Sequence, residues 1–154
     1  MEVRFETRKP VRVAFVRHIG PYQECGVAWE TLCKFAAGQG LFSPDTLRIG
    51  IGHDSPEITP ADQLRYDACL TVDDQFQPTG EIRIQELPGG EYAVIAHRGP
   101  YAGLPDAYRW IFREWLPASR RQLRSGPCFE IYVNDPTTTP PEDLITEIYI
   151  PLVS

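Results

Sequence analysis

The feature that most constrains this sequence is a duplication. The segment Val16-Arg-His-Ile-Gly-Pro-Tyr22 returns as Ile95-Ala-His-Arg-Gly-Pro-Tyr101, 79 residues later. A second block, Ile51 to Val72, superposes on Ile131 to Leu152 at an offset of 80. It matches Pro56 with Pro136, Thr59 with Thr139, Pro60 with Pro140, Leu64 with Leu144 and Asp67 with Glu147. Two blocks in the same order at nearly the same spacing mean that one supersecondary unit is used twice, with a small insertion or deletion between them. At 154 residues the chain is long enough for one well-packed domain and cramped for two. We therefore read residues 1–154 as a single domain with internal repeats over about 2–74 and 80–154.

Each half begins with an alternating segment, Val11–Arg17 and Glu91–His97, which predicts a strand. Gly-Pro-Tyr then predicts a turn, because Gly tolerates unusual φ and Pro fixes its own. A helix follows in each half. In the first it covers about Gln23–Ala37, with Cys25, Ala28, Trp29, Leu32, Phe35 and Ala36 at helical spacing. In the second, Leu104, Tyr108, Ile111 and Trp115 form the stripe, and Pro117 is expected to stop the helix. Two further strands close each half, Leu47–Gly52 with Arg65–Val72 and Cys128–Val133 with Ile145–Val153. The fold class is α+β: duplicated β-α-β-β units related by a pseudo-twofold, an antiparallel sheet with helices on one face, and an open ligand cleft between the halves.

The same duplication bounds the chemistry. His18 and His97 occupy equivalent positions beside the Gly-Pro turns, so they read as parts of the fold rather than as a unique base. His53, Asp54 and Ser55 are contiguous, whereas catalytic triads are assembled across a fold. The four cysteines, Cys25, Cys33, Cys69 and Cys128, form no C-x-x-C pair and read as reduced thiols, with no metal site and no disulfide framework. No phosphate loop or H-E-x-x-H sequence occurs, and no cofactor is expected. Fifteen Lys and Arg against twenty-one Asp and Glu give a net charge of −6, which argues against direct nucleic-acid binding. No signal-peptide stretch or membrane-length apolar run is present, so a cytoplasmic protein without membrane contact is expected.

Strand alternation nominates the site. On Cys128–Val133 the residues Phe129, Ile131 and Val133 make a greasy face expected to pack on a helix, leaving Glu130 and Tyr132 on the free face. The same sorting on the last strand leaves Glu147 and Tyr149 there. Their repeat partners in the first half are Gly50, Gly52, Asp67 and Cys69, and glycines inside a strand often mark a close approach. Trp110, offset from the buried stripe, is a candidate cleft residue or simply a surface one. Glu130 carries the most weight, because a carboxylate on an apolar strand needs a compensating partner. A cationic ligand flanked by aromatic faces would supply one.

Asp54-x-Pro56-x-x-Thr59-Pro60-x-x-x-Leu64-Arg65-x-Asp67 with Thr71-Val72, Gly89-Gly90-x-Tyr92-Ala93-Val94, and Pro127-Cys-Phe-Glu-Ile-Tyr132 with Asn134 resemble the signatures of the GyrI-like small-molecule-binding domain family. Within it they are most similar to the stand-alone gyrase-inhibitory proteins. The resemblance covers nearly the whole chain. It implies the pseudo-twofold domain found as the effector-binding half of Rob- and BmrR-like regulators, in which an acidic residue in an aromatic cleft, here Glu130, receives lipophilic and often cationic compounds. It also implies toxin protection or gyrase modulation, with DNA gyrase as a possible partner. No helix-turn-helix precedes the first strand, so a complete regulator of that type is not expected. Two alternatives stand beside this reading. One is a hydrolase of strained, cyclopropane-bearing compounds using Glu130. The other is a gyrase-interaction module presenting Gly89–Val94 and its surroundings.

Overall fold

The computed structural model describes residues 2–154. Its eight strands are β1 (Val3–Arg8), β2 (Val11–Ile19), β3 (Arg48–Gly52), β4 (Arg65–Thr71), β5 (Arg83–Leu87), β6 (Gly90–Arg98), β7 (Phe129–Tyr132) and β8 (Ile145–Leu152). They form one antiparallel sheet, curled into a half-barrel, in the order β1-β6-β8-β7-β3-β4-β2-β5. That order is its own mirror once β1 is exchanged for β5, β2 for β6, β3 for β7 and β4 for β8. The fold is thus the α+β duplication that the repeat predicts. The pseudo-twofold passes between β3 and β7, where Gly50 faces Glu130 in register. Because these two residues are also repeat equivalents, their pair lies on the axis itself.

Each unit has one more strand than the β-α-β-β pattern contains. β1 pairs with β6 of the second half, and β5 pairs with β2 of the first, so the leading strands are exchanged between the halves. Both are edge strands, and their sequences, VRFETR and RIQEL, carry a charged or polar residue at nearly every second position. Such charge protects an open edge from pairing with other chains and masks the strand in a hydropathy reading.

The duplicated turns repeat in their hydrogen bonds. Gly20 and Gly99 donate to Leu64 and Leu144 carbonyls, each at 2.8 Å, and both have positive φ, 140° and 127°. His18 and His97 contact the Pro21 and Pro100 carbonyls through Nε2 at 3.0 and 3.1 Å, so both imidazoles close the turn they adjoin.

After each turn a 3-10 segment leads into a helix. α1 (Gly26–Gln39) buries Ala28, Leu32 and Ala36 and ends at Gly40 in the left-handed region. In the second half α2 (Leu104–Trp110) does not stop before Pro117. It continues through a π-helical segment, Ile111–Trp115, into α3 (Leu116–Ser119), where Arg120 at φ 60° ends it. The wider π turn, closed by Leu116 N–H donating to the Ile111 carbonyl, gives the proline ring room that an ordinary α turn denies.

Both helices lie on the same face of the sheet. α1 packs on Ala14, Val16, Tyr66, Ala68 and Leu70, and α2 on Ala93, Ile95, Ile148 and Ile150. The other, inner face of the curl is equally apolar: Val13, Phe15, Ile49, Ile51, Leu87, Val94, Phe129, Ile131 and Tyr149 form one cluster that crosses both halves. This overturns one expectation. Phe129 and Ile131 line the inside of the curl, and Glu130 and Tyr132 point to the helix layer, because a curled sheet buries both faces and the greasier stripe of β7 belongs to the inner one.

Candidate functional site

Glu130 sits above the β3–β7 seam, between side chains reaching in from α1 and α2. Tyr108 of α2 donates to its Oε2 at 2.6 Å, and Tyr132 on its own strand donates to Oε1 at 2.7 Å. The Tyr132 hydroxyl also bonds that of Tyr66 at 2.6 Å, and Trp29 Nε1 of α1 donates to Tyr66 at 3.0 Å. One hydrogen-bonded chain therefore runs Trp29–Tyr66–Tyr132–Glu130–Tyr108 from one helix to the other. Trp29 and Tyr108 are themselves repeat equivalents, so the duplication places an aromatic donor on each side of the axis.

Further rings close the cluster. Trp29 and Tyr101 each meet Tyr132 edge-on at 5.6 Å, and Tyr22 lies 5.9 Å from Tyr66. Tyr22 and Tyr101 are the tyrosines of the duplicated Gly-Pro-Tyr. Gly50 makes the arrangement possible: a Cβ there would lie 2.3 Å from the hydroxyls of both Tyr66 and Tyr132. Gly52 is less constrained, with Tyr22 Oη at 3.4 Å from the same construction.

The electrostatics follow from what is missing. Among the described residues no Lys, Arg or His forms an ion pair with Glu130. Burial raises its carboxyl above the ordinary range, and the two phenolic donors offset only part of that rise. Burial and the nearby carboxylate push Tyr108 and Tyr132 well up, and Cys128 beside them to about 12. The phenols are therefore neutral donors and the thiol is not a nucleophile.

The remaining nominated residues are elsewhere. Asp67 is on the inner face, fully buried, and accepts from Arg17 Nε at 2.8 Å, Arg17 Nη2 at 3.0 Å, His53 Nε2 at 2.7 Å and Gln85 Nε2 at 2.9 Å. Burial alone would raise this carboxyl, but the donated bonds outweigh it and hold it below the ordinary range. Glu147, also on the inner face, pairs with Arg4 at 2.9 Å. Tyr149 is buried there, stacked on Phe129 with centroids 4.7 Å apart. Glu147 and Tyr132 both line one groove of about 390 Å³, beyond the ends of β3 and β7. Trp110 packs half-buried on the flank of the second-half core. Tyr92, Ala93 and Val94 are buried in β6 and present no surface to a protein partner, which removes that part of the gyrase-docking expectation.

Of the eight nominated residues the structure brings together Glu130, Tyr132, Gly50 and Gly52. The sequence reading missed Tyr22, Tyr66, Tyr101 and Tyr108, and passed over Trp29 as core. The recoverable signal is the Tyr of the repeated Gly-Pro-Tyr, a residue that turn chemistry alone does not require.

A carboxylate without a cation, ringed by aromatic side chains on a pseudo-twofold axis, is a specific arrangement, and it agrees with what the whole sequence matches. Residues 1–153 fit the GyrI-like small-molecule-binding domain. The chain belongs to this family. A relative from Erwinia billingiae (strain Eb661), named DNA gyrase inhibitor, is 26% identical over 99% of this chain and 97% of its own. The solved C-terminal domain of EcmrR superposes with a TM-score of 0.79 at 18% identity, over 99% of this chain and 98% of that one. SAV2435, solved with tetraphenylphosphonium bound, superposes at 0.63 and 15% identity over 100% and 95%. At these identities the structural likenesses establish the GyrI-like fold. No helix of the described residues is long and apolar enough to cross a membrane, and no group of three or more His, Cys, Asp or Glu among them is placed to hold a metal ion.

Proposed function

We propose that the chain binds lipophilic cations in the cleft between α1 and α2, with Glu130 as the anionic anchor and Trp29, Tyr101 and Tyr132 as aromatic walls. The observation that carries this reading is the half-buried carboxylate, desolvated by its aromatic surroundings, that no side chain of the described residues neutralises. A buried charge without a partner is costly, and a ligand that brings the opposite charge removes that cost while gaining cation–π contact of about 0.5–2 kcal/mol per ring. The binding of tetraphenylphosphonium by SAV2435 supports the choice of ligand class. In a cell such binding would serve toxin sequestration, and the relatives' name supports gyrase modulation as its context.

In this structure both carboxylate oxygens accept phenolic bonds, so direct contact of a ligand with the carboxylate requires at least one ring to swing out. Trp29 is bonded into the cluster and reports on it directly. Titration of tetraphenylphosphonium against Trp fluorescence should saturate in the wild type, and Glu130→Gln should weaken it at least about tenfold, while a neutral triaryl analogue should bind both proteins with nearly the same affinity. Equal losses for cation and neutral analogue would remove the charge role.

A second reading uses the same carboxyl as a general acid, favoured by its raised pKa and its position between two neutral phenols. Mass spectrometry of strained cyclopropane electrophiles incubated with the protein decides it. Turnover lost in Glu130→Gln assigns hydrolysis, and unchanged compound masses leave binding alone.

A further inference from the structure

Asp67 gathers four N–H bonds on the inner face, and their directions fix two other groups. A carboxylate can only accept, so His53 Nε2 carries a proton and donates at 2.7 Å, and the amide nitrogen of Gln85 is the atom turned to Asp67 at 2.9 Å. His53 Nδ1 and Gln85 Oε1 therefore point away from Asp67. Neither makes a hydrogen bond within the described residues, and neither is sealed from solvent, since Thr146 Oγ1 is the one buried side-chain polar atom left unbonded among them. In the neutral imidazole Nδ1 is an acceptor, as Oε1 is.

Both residues line a cavity of about 480 Å³ enclosed by the end of β3, by β5 and by the segment leading into β7. Leu87, Pro88 and Pro127 give it apolar walls, and Glu86 adds a carboxylate at its margin. Arg17 is held by Asp67 through two bonds, which neutralises it locally. Gln85 and Asp67 share the inner side of the sheet, opposite Glu130, with Leu87 and Cys69, and Gly52, Gly126 and Cys128 at the strand ends complete the lining of the cavity. Its size falls within the range of small-molecule pockets.

We propose that this cavity is a second small-molecule site, independent of the Glu130 cleft, for compounds that offer paired N–H donors, amidinium or guanidinium groups on a flat apolar body. Asp67 acts here as a positioning residue: it sets the tautomer of His53 and the orientation of Gln85 and touches no ligand itself. The recognition is the inverse of the Glu130 cleft, because it depends on directed acceptors rather than on an unpaired charge.

The test is NMR of the imidazole C–H groups on the full chain, which has three histidines, His18, His53 and His97. Benzamidine is the probe, and benzoate, with the same ring but only acceptors, is the control. Benzamidine should shift the His53 signals saturably and leave His18 and His97 still. The response should persist in Glu130→Gln, which separates it from the cleft, and Gln85→Leu should weaken it about tenfold. Absence of a saturable His53 shift overturns the proposal. So does an equal response to benzoate, or a response that Gln85→Leu leaves unchanged. Asp67→Asn is a poor probe because it threatens the fold.

Discussion

Two carboxylates on opposite faces of one sheet, Asp67 and Glu130, show how the same chemistry is put to different ends. Asp67 is surrounded by N–H donors from Arg17, His53 and Gln85 and is held ionised. Glu130 has two phenols and no cation, and burial favours its neutral form. The first is a completed ion pair that holds β2, β4 and β5 together. The second is half of one, with the other half left to arrive from solution. Burial by itself thus does not identify a binding residue; the presence or absence of an internal counter-charge does.

Removing either charge should expose that difference. Asp67→Asn leaves Arg17 and His53 facing a neutral amide in a buried cluster and should cost roughly 3 kcal/mol, read as a lower urea midpoint. Gly50→Ala should follow at roughly 1–3 kcal/mol, because its methyl cannot coexist with both tyrosine hydroxyls, and the Trp29 emission should change with it. Gly52→Ala, where the contact is looser, separates the steric effect at the axis from a general cost of replacing strand glycines. Glu130→Gln should raise stability at neutral pH while lowering cation affinity, the trade expected where a site is kept unsatisfied for function.

The pH dependence carries opposite signs for the two groups. Asp67 has a folded-state pKa below its unfolded one, so its contribution is present above the ordinary carboxylate range and disappears as the pH falls toward the folded value. Glu130 has its folded pKa raised. Stability falls as the pH climbs from the unfolded value to the folded one and stays lower above it, so the gain from Glu130→Gln should be present at pH 7 and vanish below the ordinary glutamate range. Urea titrations of wild type and Glu130→Gln across pH 3–7 check both signs. The smallest effect belongs to Glu57→Gln, whose exposed pairs with Arg109 and Arg113 tie the 54–60 loop to α2 and the π-helical segment after it and should contribute no more than about 0.5 kcal/mol.

How much of this was legible in the sequence follows from the same contrast. The duplication predicted the helices and six of the eight strands, because Gly-Pro-Tyr and the Pro/Thr blocks recur with their spacing intact. Glu130 was legible as a charge on an apolar strand. Its side of the sheet was not, since alternation divides β7 into two faces without saying which one a curled sheet turns inward. Alternation groups Glu147 with it and repeat position adds Asp67, yet residue 67 pairs with Ile51 and residue 130 with Gly50, one step out of phase, which puts them on opposite faces. β1 and β5 were hidden by the charges that protect them as edges, and Trp29 by helical spacing that suits a core residue equally well.

The exchanged edge strands also bear on how the chain comes into being. β1 is made first, but its partner β6 lies 92 residues further on at the Val3–Ile95 pair. The first half can therefore leave the ribosome with its opening strand unpaired and its own outer edge, later covered by β5, still bare. Closure of so long a loop is a slow, non-local step. Until it occurs, the nascent protein shows two open sheet edges to its surroundings, and the finished one shows two short, charged ones.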